Sequence, residues 1–83
     1  MNINEVFLEQ EKYAKENNVP IMMSDGIDFV TSFIRDNNIK EVLEIGTAIG
    51  YSALKMANEG AFVTTIERDE EREEKAEYYI EKS

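Results

Sequence analysis

Eighty-three residues allow one small domain, which buries only about 60–65% of its unfolded surface and stays marginal unless something supplements its core. With no cysteine there can be no disulfide or thiolate metal site, and no apolar run approaches the roughly 18 residues of a membrane span or the pattern of a signal peptide, which together point to a cytoplasmic chain. Eighteen acidic against nine basic residues leave a charge of −9, a surface that repels phosphate backbones and is not expected to present a nucleic-acid face.

Residues 3–17 read as an amphipathic helix with Ile3, Val6, Phe7, Gln10, Tyr13 and Ala14 on one stripe. "NNVP" (17–20) closes it: asparagine suits a helix C-terminus, and Pro20 forces Val19 out of the helical region. A second helix opens at "MSDG" (23–26) with Ser24 or Asp25 as cap. It presents Ile27, Val30, Phe33 and Ile34 inward and ends at "DNN" (36–38). The period then changes. "EVLEI" (41–45) reads as a short buried strand, "YSALKMANE" (51–59) as a helix closed by Gly60, and "FVTTI" (62–66) as a second strand. Asp69 caps a last helix through about Lys82, with Glu70 and Glu71 in its dipole-favoured first turn. The acids of 67–82 are read as its solvated face. Two helices followed by strand–helix–strand–helix predict an α/β fold with parallel strands joined by a right-handed crossover.

In such a fold ligands sit beyond the carboxyl ends of the strands. That places Gly46 to Ser52 at the mouth of the first strand and Glu67 at the mouth of the second. Gly46 lets a ligand approach bare backbone, and the helix after it is expected to offer an anion seat at its N-terminus. Glu67 follows Gly46 by 21 positions, the spacing at which nucleotide-binding folds place a carboxylate for ribose hydroxyls. The run Gly46-Thr47-Ala48-Ile49-Gly50 puts Ala48 where a dinucleotide fingerprint needs its pyrophosphate-facing glycine, which weakens a nicotinamide or flavin half-domain. No Gly-Lys-Ser/Thr follows at a P-loop interval. S-adenosylmethionine, with its ribose, adenine and amino-acid carboxylate, fits better. Its carboxylate would rest by Ser52 and its ammonium group by Glu44, an acid inside an apolar strand that needs some partner.

"VLEIGTAIGYSALKMA" followed by "VTTIERDEE", with "VPIM" (19–22) ahead of the second helix, resembles the cofactor-binding core of class I S-adenosylmethionine-dependent O-methyltransferases of the catechol and caffeoyl-CoA type. The likeness extends to bacterial members that methylate 5-hydroxyuridine in tRNA. The resemblance implies a Rossmann-like methyltransferase fold. Residues 1–83 would be its N-terminal portion, with N-terminal helices over 1–38 and the first part of the core over 39–83. It implies that Glu44 and Gly46 line the methionine portion, Ser52 holds its carboxylate, Glu67 holds the ribose, and Met22 packs near the cofactor. Where members carry Gly-Gln-Phe-Leu at the start of the second helix, this chain has Ile27, Asp28, Phe29 and Val30.

By the same resemblance, the adenine wall, the acids for a divalent metal such as Mg and the acceptor pocket follow the region covered here. No catalytic and no metal-binding residue is therefore expected within it. In the complete enzyme the acceptor would be a hydroxyl of a small aromatic molecule or of tRNA 5-hydroxyuridine, and the isolated chain is expected to be inactive. The first strand is expected to leave one edge unpaired, which favours a homo-oligomer. The competing expectation is a non-enzymatic, self-associating module that keeps part of the fold.

Overall fold

The computed structural model describes residues 1–22 and 24–83, without the side chain of Ser24. In chain order the described residues form α1 (Ile3–Glu16), α2 (Ser24–Asp36), β1 (Glu41–Ile45), α3 (Tyr51–Ala57), β2 (Phe62–Ile66) and α4 (Glu70–Lys82).

Local signals set most of the boundaries. The Asn2 side chain accepts from the Glu5 amide at 2.9 Å and starts α1. The Asp69 carboxylate accepts from the Arg72 amide at 3.0 Å and starts α4. The two asparagine pairs work alike. Asn18 (φ 53°) and Asn38 (φ 55°) take the left-handed conformation just past α1 and α2. That turn lets the amides of Val19 and Ile39 reach back to the carbonyls of Ala14 and Ile34, at 2.9 and 3.0 Å. The cap expected for α2 at Ser24 or Asp25 involves Met23 and the Ser24 side chain, which lie outside the described residues. Asp25 itself is a first-turn acid within the helix.

The two strands pair in parallel, Glu41 with Phe62 through Ile45 with Ile66. One face of this ribbon is covered: Val42 and Val63 pack on Ile34, Met56 and Ala61. A larger cluster binds α1 to α3 and α4 through Val6, Phe7, Ala14, Ile27, Ile49, Tyr51, Leu54 and Tyr79. The α1 stripe is inward as its spacing predicts, with Val6, Phe7, Gln10 and Ala14 buried and Ile3 and Tyr13 packed at its margin.

Two expectations need correction. The apolar run of β1 is covered on one face only: Leu43 is 66% exposed and Ile45 73%, beside Phe62 at 74% and Ile66 at 51%. The helices that contact the sheet approach the face bearing Val42 and Val63, so the alternate residues meet no described element. Phe33, expected inside, is 52% exposed and stacks on Phe29 instead, with ring centroids 6.3 Å apart. Periodicity fixes which residues share a helix face, not whether the neighbour for that face is present.

Because Asn38 holds a positive φ, Asn38→Ala is expected to lower unfolding free energy by about 1 kcal/mol, while Asn38→Gly leaves it unchanged or raises it. Urea titrations of the three proteins check this; an Ala variant as stable as the parent contradicts it.

Candidate functional site

The carboxyl ends of β1 and β2 lie side by side, and the backbone between β1 and α3 is folded against them. The amides of Gly46 and Thr47 both donate to the Ile66 carbonyl, at 2.7 and 3.1 Å. The Ala48 amide donates to Glu67 Oε1 at 2.6 Å, and Glu67 Oε2 accepts from the Asp69 amide at 2.9 Å. Glu67 thus ties the turn after β1 to the start of α4. Its carboxyl is held below its ordinary value of 4.5, chiefly by the Asp69 amide; burial opposes this, and the amides of Ala48 and Arg68 and the charge of Arg72 add to the lowering.

The turn needs three left-handed residues in five, Gly46 (φ 88°), Ala48 (φ 51°) and Gly50 (φ 85°). At Gly46 a Cβ would meet nothing within 4 Å, so the backbone there faces open space. At Gly50 a Cβ would come to 3.4 Å from the Ala76 side chain, so its smallness also serves the α3–α4 contact. Ala48 adopts the same region at a steric cost of roughly 1–2 kcal/mol, which its bond to Glu67 helps to offset. The Ala48 amide, two residues ahead of the N-cap Gly50 of α3, thus carries an anion of the chain's own, Glu67.

Glu44 points from β1 to the covered face and is half-buried. Its Oε1 accepts from the Thr65 hydroxyl at 2.9 Å, and its Oε2 accepts from the Ser52 hydroxyl. Thr65 has given Glu44 its only proton, so in the contact between the Thr47 and Thr65 hydroxyls Thr47 is the donor. A relay of hydroxyls, Thr47 to Thr65 to Glu44 from one side and Ser52 from the other, satisfies a carboxylate that would otherwise be costly to bury.

The expected residues divide between two adjoining clefts. Met22, Glu44, Gly46 and Ser52 line one of about 410 Å³, together with Pro20, Ile21, Ala48 and Tyr51. Glu67 lines a neighbouring cleft of about 350 Å³ with Thr65, Ile66 and α4, and Thr47 borders both. The first volume lies within the range of small-molecule sites. Ser52 contributes to it differently from the sequence reading: its hydroxyl donates to Glu44, so its proton is not directed at a ligand. Thr47 and Thr65 were not singled out by sequence. The available signal was register, since Glu44 pairs with Thr65 once the two strands run in parallel. Among the described residues no three acids converge as a metal site.

Glu67 has a lowered folded-state pKa, so its contribution is present above the unfolded value and is lost as pH falls through the folded one. Glu67→Gln is therefore expected to be less stable than the parent at neutral pH, with the gap closing below about pH 4.5. Melting curves across that range check it; a gap that stays constant with pH contradicts it.

A family model described as O-methyltransferase matches residues 3–83. A Staphylococcus aureus structure provisionally designated a caffeoyl-CoA O-methyltransferase is 38% identical, with a TM-score of 0.87 over 92% of this chain and 37% of that one. A Bacillus cereus O-methyltransferase crystallised with SAH is 24% identical, with a TM-score of 0.80 over 98% of this chain and 39% of that one. An O-methyltransferase of tomaymycin synthesis from Streptomyces achromogenes, crystallised with SAM, is 22% identical, with a TM-score of 0.81 over 94% and 37%. At these last two identities the likeness speaks to fold alone. The chain spans little more than a third of the length of each of these relatives. Its two helices and strand–helix–strand–helix unit match the N-terminal part of their fold, and the chain belongs to the O-methyltransferase family.

Proposed function

We propose that residues 1–83 form the N-terminal, cofactor-binding portion of an S-adenosylmethionine-dependent O-methyltransferase. The observation that carries this is the pairing of Glu67 with the turn after β1, which joins the carboxylate of one cleft to the open backbone of the adjoining one. The residues present fit an adenosyl amino acid. Each Glu67 oxygen has accepted one backbone bond, which leaves acceptor capacity for a vicinal diol. Glu44, oriented by Ser52 and Thr65, offers negative charge to an ammonium group. Gly46 leaves the space a methionine chain would cross, and Met22 supplies an apolar wall. For Ser52 to hold the carboxylate as well, its hydroxyl must rotate from Glu44. When bound, the cofactor supplies an electrophilic methyl group; this chain's own part is to bind and orient it.

The methyl acceptor in the complete enzyme is a hydroxyl of a small aromatic molecule or of tRNA 5-hydroxyuridine, reached from elements beyond this portion, as would be a Mg site. Membership of the O-methyltransferase family, whose fold is shared by structures crystallised with SAH and SAM, supports the cofactor. In heteronuclear NMR titrations with millimolar SAH, shifts are expected to concentrate at Gly46–Ser52 and Glu67, with weak affinity. Glu67→Ala should weaken binding tenfold or more, as loss of charge-assisted bonds worth roughly 1.5–3 kcal/mol implies. Shifts confined elsewhere, or binding indifferent to Glu67, would overturn the assignment.

The free edge of β1 supports a second copy as partner for the 83-residue chain. Lys40 accepts from the Phe62 amide at 2.8 Å and Gly46 donates to Ile66, so by alternation Glu41, Leu43 and Ile45 aim their backbone groups away from β2. Antiparallel pairing centred on Leu43 would set Glu41 against the second copy's Ile45 and Lys40 diagonal to the second copy's Glu44, with no like charges opposed. It would also cover the apolar groove of about 300 Å³ that holds Phe29, Phe33 and Ile39 beside that edge. The charge of −9 opposes association, so salt should strengthen it. Sedimentation is expected to show a dimer, and Leu43→Pro, which removes an outward amide but no bond to β2, a folded monomer. A parent chain that is monomeric at all salt concentrations contradicts this partner.

A further inference from the structure

Gln10 sits on α1, yet its side chain ends at the turn that follows β1, 39 residues away. It is fully buried, and its Nε2 donates to the Ile49 carbonyl at 3.1 Å, while its Oε1 is buried with no partner among the described residues. An amide sealed in an apolar cluster with its carbonyl oxygen unpaired among the described residues is a poor way to fill volume. A methionine or leucine would fill the same volume but strand the buried Ile49 carbonyl, for which the described residues offer no other donor. What the amide adds is direction. Ile49 lies between Ala48 and Gly50, both in the left-handed region, and the Ala48 amide is the one aimed at Glu67. The carbonyl held by Gln10 and the amide held by Glu67 flank a single strained stretch from opposite sides. Neighbouring contacts brace the same helix against the start of α3, which follows that turn: the Tyr51 hydroxyl donates to Glu11 at 2.6 Å, and the Phe7 and Tyr51 rings meet edge to face at 6.1 Å.

We infer that Gln10 is a positioning residue for the cofactor-facing turn, acting through the Ile49 carbonyl to hold the Ala48 amide on Glu67. This rests on the proposed cofactor reading for its purpose, though not for its geometry. α1 then has a role beyond packing: it is the clamp that keeps a left-handed turn in one conformation before any ligand arrives.

The test is native-state amide hydrogen exchange on the ligand-free chain, comparing the parent with Gln10→Met and Gln10→Leu. The expected result is exchange at Gly46–Gly50 at least tenfold faster, in excess of any change at the amides of the helices, because the buried Ile49 carbonyl loses its donor. Equal loss of protection across all elements would make Gln10 a general core residue and overturn the inference, as would unchanged exchange at the turn. Should neither variant fold, the parent itself decides: the Gln10 side-chain amide protons should be protected and exchange with the turn amides, and fast exchange of those protons overturns the inference. In a variant with a loosened turn, SAH titration should show a matching loss of affinity. No SAH binding to the parent would overturn the cofactor reading while leaving the exchange result to judge the clamp.

Discussion

The bond from the Ala48 amide to Glu67 is what joins the pieces of this site. A parallel crossover brings the ends of β1 and β2 together but leaves the turn after β1 free to take many shapes. Glu67 selects one of them, in which three residues of five are left-handed and bare backbone at Gly46 faces outward. The same carboxylate reaches the first amide stretch of α4 through Asp69, so one side chain sets the relation between turn, strand end and helix start. Its charge is stabilised by those amides, which is why its pKa falls although it stands among acids.

Around that bond the chain distributes polar and apolar groups on different logic. Glu44 is satisfied by hydroxyls from β2 and α3, a neutral hydrogen-bonding environment. The apolar residues of the sheet, by contrast, are covered on one side only. Parallel sheets ordinarily bury both faces, and Leu43, Ile45, Phe62 and Ile66 form the half that lacks its layer among the described residues. The groove by Phe29 and Phe33 is the same situation on α2. The relatives reported above are each more than twice as long as the stretch matched here.

Much of this was legible in the sequence because it is local. Asn18 and Asn38 marked helix ends through a backbone preference, Asp69 marked a start through its side chain, and the α1 stripe followed from spacing. The relation of Glu67 to Gly46 was legible because one crossover of ordinary length fixes it. What escaped depends on things no spacing encodes. A strand buried on one face and a strand buried on both can carry the same short apolar run, so the exposure of Leu43 and Ile45 was invisible. The hydroxyl relay through Thr47 and Thr65 required the register of two strands, and the donation of Ser52 to Glu44 required the orientation of one hydroxyl. The turn's use of its own acid as its anion follows from how close the two strand ends lie, a distance and not a pattern.

The central claim is that a carboxylate at one strand end and an open turn at its neighbour together hold an adenosyl amino acid. A crystal structure of the chain grown with SAH tests it most directly. The account predicts the ribose hydroxyls within hydrogen-bonding distance of Glu67 and the amino-acid end along Gly46 toward Glu44. SAH seated away from both carboxylates, or a Glu67 side chain swung off the Ala48 amide with the ligand still bound, would contradict it.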